Sequence, residues 1–259
     1  MKTFVLRLKD CYIKNNTGPF AAALAYYLLF SIFPVVGIFN ILLSALGEEA
    51  TQVLSVMPSF MEEIIELYMD YIAGYPGITL FSTSLFAFLY MPFRAIKFML
   101  HDIGKVYGFE HKDSFVKRNA MAFVYTAIFL VILVFTAVMM AASTEFLRMF
   151  IGETLTKYVK YLLPGVAMFL LLIFIYRAGS KRSILLIYKG AAFASLGWLI
   201  ASFIFSAYVN TMGRYSIVYG SLGTLMAFFV WIYLTCYCIL LGSRFNYVWE
   251  TRNAAMWEK

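Results

Sequence analysis

The residues best suited to chemistry are concentrated between positions 101 and 113. They are side chains that can ligate a metal or transfer a proton: His101, Asp102, Glu110, His111 and Asp113. Two histidines with three acids could hold a divalent cation and activate water, the chemistry that a nuclease needs. However, the histidines are ten residues apart, which matches no established ligand spacing, and lysines surround them. We therefore expect no metal, no cofactor, no catalytic residue and no enzyme; a metal-dependent nuclease is a minor alternative.

A second group of candidates consists of residues at or near long apolar runs, where they could line a substrate path or form a gate. They are Ser31, Pro34, Asn40, Glu145, Arg177, Arg214, Tyr219, Arg244 and Asn246. Pro34 cannot donate to the carbonyl of Phe30, so it predicts a bend in its helix. Ser31 then either caps the freed backbone or belongs to a bent helix that lines a path. Asn40 predicts a hydrogen bond between helices more than a ligand contact.

The three arginines of this group have different predicted roles. Arg177 and Arg244 follow apolar runs, where arginines usually anchor a helix end by extending to lipid headgroups. Arg214 is the only base in the linker 209–219. It could pair with Glu145 or with the acids between positions 62 and 70 to close a gate, or hold a lipid phosphate. A solvated surface position is the plainest interpretation of Arg214.

The elements that must position these residues are apolar helices. Apolar residues make up 63% of the chain and charged residues 14%, whereas about 25% of a soluble domain is charged. The 20 residues from Leu222 to Leu241 include no charged side chain, and as a helix they span about 30 Å, the thickness of a bilayer's hydrocarbon core. Gly220, Gly223 and Gly242 flank this run and predict a close approach to another helix.

The apolar runs predict an all-α, polytopic membrane protein with six transmembrane helices and amphipathic interfacial helices. The predicted spans are about 20–46, 75–91, 119–142, 161–176, 190–208 and 222–241, in a transmembrane domain at 19–248. Residues 1–18 form a cytosolic amphipathic segment and 249–259 a cytosolic tail. Residues 48–74 have acids but no lysine or arginine and predict an external helix that rests on the membrane or covers a cavity. The stretch after Pro92 is either a cationic interfacial helix or an extension of the second span.

Charge placement predicts that both termini are cytosolic. In that orientation the cytosolic segments hold 17 of the 21 lysines and arginines, as the positive-inside rule requires. The net charge of +7 then predicts attraction to anionic lipids on the cytosolic side, and no binding of nucleic acid.

Several motifs occur in order between residues 19 and 248. They are AYYLLFSIFP at 25–34, Tyr176–Arg177, YGSLG at 219–223, WIY at 231–233, and Leu241–Gly242 through Asn246. This set resembles the YihY/BrkB family of bacterial inner-membrane proteins. The resemblance implies a six-span protein linked to envelope integrity and serum resistance, and an older ribonuclease label that is regarded as a misassignment. Arg244 stands where the family pattern usually has an acid, and Ala178 where a proline usually follows closely, so Arg244 argues against ion coupling through that acid.

The predicted spans and the family resemblance indicate two classes of function. The first is a transporter or lipid-handling protein of the inner membrane, with span one, span six and the linker 209–219 near the working cavity. The alternative is a non-transporting scaffold that binds envelope proteins through residues 48–74. The expected partners are therefore membrane lipids, an envelope protein or a second copy of the chain.

Overall fold

The computed structural model describes residues 2–46, 77–109, 115–141, 152–212 and 217–257. These residues form helices, with no strand among them, which confirms the all-α prediction for this part of the chain. The helices are α1 (Lys2–Lys14), α2 (Thr17–Leu46), α3 (Gly77–Val106), α4 (Phe115–Ala141), α5 (Glu153–Ser180), α6 (Ile184–Met212) and α7 (Ile217–Trp257). The predicted acidic segment 48–74 lies outside the described residues.

Helix α7 is the central element of the bundle. It packs most extensively on α6, and also on α2, α1 and α3. Helix α2 packs along α3, while α5 contacts α3, α4 and α6. The buried core is therefore shared by α2, α3, α5, α6 and α7, and α4 contributes Ala122.

Within the described residues, three helices contain a stretch long and apolar enough to cross a membrane. These are Leu162–Ser180 in α5, Ile184–Val209 in α6 and Gly223–Thr251 in α7. Large apolar side chains also point outward from the bundle; Phe203 of α6 is 76% exposed. An outer surface of this kind is suited to lipid and not to water.

Prolines do not end the helices in which they occur. Pro92 lies inside α3 and Pro164 inside α5, although proline lacks the N–H of a helical hydrogen bond. Pro92 is buried and α3 packs along α2, so contacts between helices hold α3 together across this residue. The cationic stretch after Pro92 is thus an extension of the same helix, the second of the two predicted alternatives.

Helix α7 is much longer than the apolar run inside it. Its 41 residues extend about 60 Å, roughly twice the hydrocarbon thickness of a bilayer. It continues through the predicted polar tail because that stretch is packed: Val248 is buried, and Phe4 of α1 lies 5.2 Å from the Phe245 ring and 5.9 Å from the Trp249 ring. Part of α1 therefore packs on protein, a contact that amphipathicity alone did not predict.

Candidate functional site

A fully buried ion pair joins α3 and α7. The Arg244 guanidinium faces the Asp102 carboxylate, and both residues are 0% exposed. Arg244 Nη2 donates to Asp102 Oδ1 at 2.8 Å, and Nη1 donates to Oδ2. Two parallel bonds of this kind match the planar fork of an arginine, which a lysine cannot reproduce.

Two hydroxyl groups complete the environment of the guanidinium. Arg244 Nε donates to Thr17 Oγ1 at 3.2 Å, and Nη1 donates to Ser243 Oγ at 2.9 Å. Each hydroxyl in turn donates to a backbone carbonyl, Thr17 to Tyr12 and Ser243 to Leu240. A buried charge is tolerated when its hydrogen bonds are made, and here four bonds meet the one arginine.

The turn between α1 and α2 brings Thr17 to this site. Asn16 adopts a left-handed backbone with φ 48°, a conformation that asparagine accepts more readily than most residues. Helix α2 then begins at Thr17, and Pro19 is its third residue, where a missing N–H is not needed. The site therefore ties the start of α2 to α3 and α7.

The positions of Asp102 and Arg244 follow from helical register. On α3 the buried residues Ala95, Met99, Asp102 and Val106 recur at steps of four, three and four. On α7 the buried residues are Cys236, Leu240, Arg244 and Val248, each four positions apart. The register of each residue with an apolar stripe was thus a readable signal of burial, but it does not identify the partner.

The structure corrects the predicted anchor role of Arg244. Arg244 does not extend to lipid headgroups, because its side chain is enclosed by α2, α3 and α7. Asp102 belongs to the buried face of α3 and not to its cationic face. Arg177, by contrast, is exposed at the end of α5, a position compatible with an anchor.

Asn246 forms a second buried polar contact, between α7 and α6. Its Oδ1 accepts from the Gly190 backbone N–H at 2.6 Å, and its Nδ2 donates to the Ile187 carbonyl at 2.8 Å. Nearby, the Tyr176 hydroxyl of α5 donates to the Ile239 carbonyl of α7. Together these bonds hold α5, α6 and α7 in one register.

Replacing Asn246 by alanine is expected to lower the free energy of unfolding by about 1–3 kcal/mol, because its two backbone partners lose the amide that bridges the helices. A denaturant titration of the purified chain in detergent, followed by tryptophan fluorescence, measures this loss. Asn119→Ala is the matched control, since the Asn119 Oδ1 is buried with no hydrogen-bond partner in the described part of the chain. Equal losses in the two variants would contradict the role of Asn246.

None of the contacts described places the other candidate path or gate residues at the ion pair. Ser31 Oγ donates to the Leu28 carbonyl at 2.5 Å, and not to the Phe30 carbonyl that Pro34 leaves without a donor. Pro34, Asn40 and Tyr219 lie at helical positions, the first two in α2 and the third in α7. Glu145 and Arg214 lie outside the described residues, and their predicted gate stays a prediction.

One of the predicted metal ligands, Asp102, belongs to the ion pair. Asp102 is engaged by Arg244, while Glu110, His111 and Asp113 lie outside the described residues. Among the residues that are described, no three histidine, cysteine or acidic groups are placed to hold a metal ion. The Asp102 carboxylate therefore binds the Arg244 guanidinium.

Cys11 of α1 is close enough to the ion pair to respond to its charges. Burial raises the pKa of the Cys11 thiol, and the positive charge of Arg244 partly opposes that rise. The thiol is therefore protonated at neutral pH and is not an activated nucleophile. The Asn15 side chain donates to the Cys11 carbonyl at 2.8 Å, a local bond at the C-terminal end of α1.

Three relatives match parts or nearly all of the sequence. "Putative ribonuclease-like protein YfkH" of Bacillus subtilis (strain 168) is 27% identical over 271 residues, covering 97% of this chain and 96% of that protein. "UPF0761 membrane protein IL2447" of Idiomarina loihiensis is 30% identical over 88 residues, 33% of this chain and 31% of its own length. A "UPF0761 membrane protein" of Glaesserella parasuis serovar 5 is 29% identical over 129 residues, 46% of each chain. No solved structure matches the chain.

The profile of the family described as Virulence factor BrkB matches residues 11–258. Two of the relatives are named as membrane proteins, and three described helices are apolar and long enough to cross a membrane, so the chain is a membrane protein. The match includes α2 to α7 and the ion pair of Asp102 and Arg244. The protein belongs to the Virulence factor BrkB family.

Proposed function

We propose that the protein spans the inner membrane six times, with both termini in the cytosol, and moves or handles a lipid or an ion in maintenance of the envelope. Support for the orientation comes from the placement of 17 of 21 lysines and arginines on one side of the six spans. Support for a membrane role comes from the family and from the apolar outer surface.

The observation that carries a transport role is the buried ion pair itself. Apolar side chains of similar volume would stabilise the bundle as well as this ion pair does, because forming the pair requires the desolvation of two charges. Ionisable groups buried in the helix bundles of membrane proteins instead mark substrate paths and gates, and this pair lies beyond the cytosolic ends of the predicted spans 75–91 and 222–241. The pair of Asp102 and Arg244 joins three helices through charged bonds that can open and reform, which suits a gate at the cytosolic side.

The experiment below also distinguishes the two alternative functions, a scaffold and a nuclease. The scaffold would act through residues 48–74, outside the described residues. Asp102 is one of the five candidate metal ligands of the nuclease, and this carboxylate is bonded to Arg244.

Reconstituted protein is expected to move labelled phospholipid or a permeant ion across liposome membranes. In the double variant Asp102→Leu/Arg244→Met we expect the rate to change by about tenfold or more, because the gate loses its charged bonds while the packing is kept. Asn119→Ala is the control and should transport like the wild type.

Three results would contradict this proposal. The first is no transport of lipid or ion, with reproducible cross-linking of residues 48–74 to one envelope protein, which would favour the scaffold. The second is metal-dependent RNA cleavage by the purified protein that His101→Ala abolishes. The third is a tag fused after Lys259 that is accessible from outside intact cells.

A further inference from the structure

A cavity of about 50 Å³ lies between the C-terminal ends of α3 and α5 and the N-terminal end of α4. Among the described residues that line it, three are basic, namely His101 from α3, Arg118 from α4 and Lys181 from the end of α5, and none is acidic. The volume accommodates three or four water-sized positions, roughly the size of one tetrahedral anion. The cavity is separate from the ion pair, whose residues do not line it.

The Arg118 side chain supplies the strongest indication of a ligand. Its Nε is buried and has no hydrogen-bond partner among the described residues. Burying a guanidinium N–H without an acceptor is costly, so the site favours an acceptor that bears negative charge. Arg118 is also in the first turn of α4, where the helix dipole adds to the positive potential.

A second cation restricts the ligand. Lys181 is held at the rim by Phe109, with its Nζ 5.4 Å from the ring centroid, so a second cation faces the same space. Phe123 and Val124 of α4 are exposed, but they are five and six positions from Arg118 and lie on other sides of the helix, so they do not extend the cavity.

We propose that this cavity binds a phosphate-bearing anion, with Arg118 and Lys181 as its principal ligands. A phosphate offers several charged acceptors to guanidinium and ammonium groups at once. The phosphate belongs either to a phospholipid headgroup or to a free anion. The site extends the proposed lipid-handling function, but binding is measured without transport, so the two proposals can fail separately.

The test uses the full chain purified in a non-ionic detergent. Native mass spectrometry and thermal unfolding are measured with phosphatidylglycerol, with diacylglycerol, which lacks the phosphate, and with inorganic phosphate at constant ionic strength. We expect phosphatidylglycerol to bind and diacylglycerol not to bind. Arg118→Gln and Lys181→Gln should each weaken binding by at least about tenfold, the effect of losing one charged hydrogen bond.

Arg94→Gln is the matched control, since Arg94 is an exposed base on α3 that contacts Tyr27 and not the cavity. It should bind like the wild type. Binding of inorganic phosphate that depends on Arg118 would assign the site to a free anion, and binding of the lipid alone would assign it to a headgroup. The proposal would be overturned if neither phosphatidylglycerol nor inorganic phosphate binds, or if both cavity variants bind as the wild type does. Because Arg118 and Lys181 belong to different helices, one variant still tests the proposal if the other does not fold.

Discussion

Replacing Arg244 by methionine is expected to lower the free energy of unfolding by about 3–5 kcal/mol, the usual cost of removing one partner of a buried pair. Methionine fills similar space, so the loss comes chiefly from the Asp102 carboxylate, which stays buried without its two N–H donors. The Thr17 and Ser243 hydroxyls also lose their donor. A denaturant titration of the chain in detergent micelles gives the free energy by linear extrapolation.

The double variant Asp102→Leu/Arg244→Met is the control for this prediction. With both charges removed no unpaired charge is buried, so we expect the double variant to recover most of the stability that the single variant loses. A single variant within about 1 kcal/mol of the wild type would contradict the pairing, because a buried charge left alone costs more than that.

The reversed pair Asp102→Arg/Arg244→Glu tests the geometry in another way. Thr17 and Ser243 carry hydroxyls, which donate as well as accept, so they can bond to a carboxylate at position 244. The reversed pair would also place an acid where the family pattern is expected to have one. We expect it to be more stable than Arg244→Glu alone; equal stability would mean that positions 102 and 244 do not interact.

Replacing Gly190 by alanine is expected to destabilise the contact of α6 with α7 by about 1–3 kcal/mol or more. A Cβ on Gly190 would overlap the Gly242 carbonyl oxygen and lie 2.5 Å from the Asn246 side chain. The obstacle at Gly242 is backbone, so relief requires the two helices to separate. The reciprocal Cβ on Gly242 would lie 2.5 Å from the Gly190 carbonyl oxygen.

Gly104→Ala is the matched control because Gly104 is also buried inside a helix. A Cβ there would lie 3.8 Å from the Gly179 carbonyl oxygen, an ordinary van der Waals distance. Since alanine favours helix over glycine by about 1 kcal/mol, Gly104→Ala should be neutral or stabilising. The same denaturant titration compares the two variants, and a Gly190→Ala variant as stable as Gly104→Ala would show that α6 and α7 do not approach this closely.

The membrane character of the chain was readable in its sequence, and so were the helical class and the family. Each depends on local properties: the length of the apolar runs, the absence of charge from Leu222 to Leu241, and the order of short motifs. The close approach at Gly242 was also predicted, because a small residue beside an apolar run is suited to helix contact. The structure confirms that contact and identifies Gly190 as its partner.

The pairing of Asp102 with Arg244 was decided only by the tertiary structure. These residues are 142 positions apart, and although each is in register with an apolar stripe, the register does not show which residue it meets. Whether a side chain is buried depends on which helix covers its face, and helical periodicity does not specify the neighbour. The apolar runs determined where this protein resides, whereas the packing of α2, α3 and α7 determined which of its few charges are enclosed together.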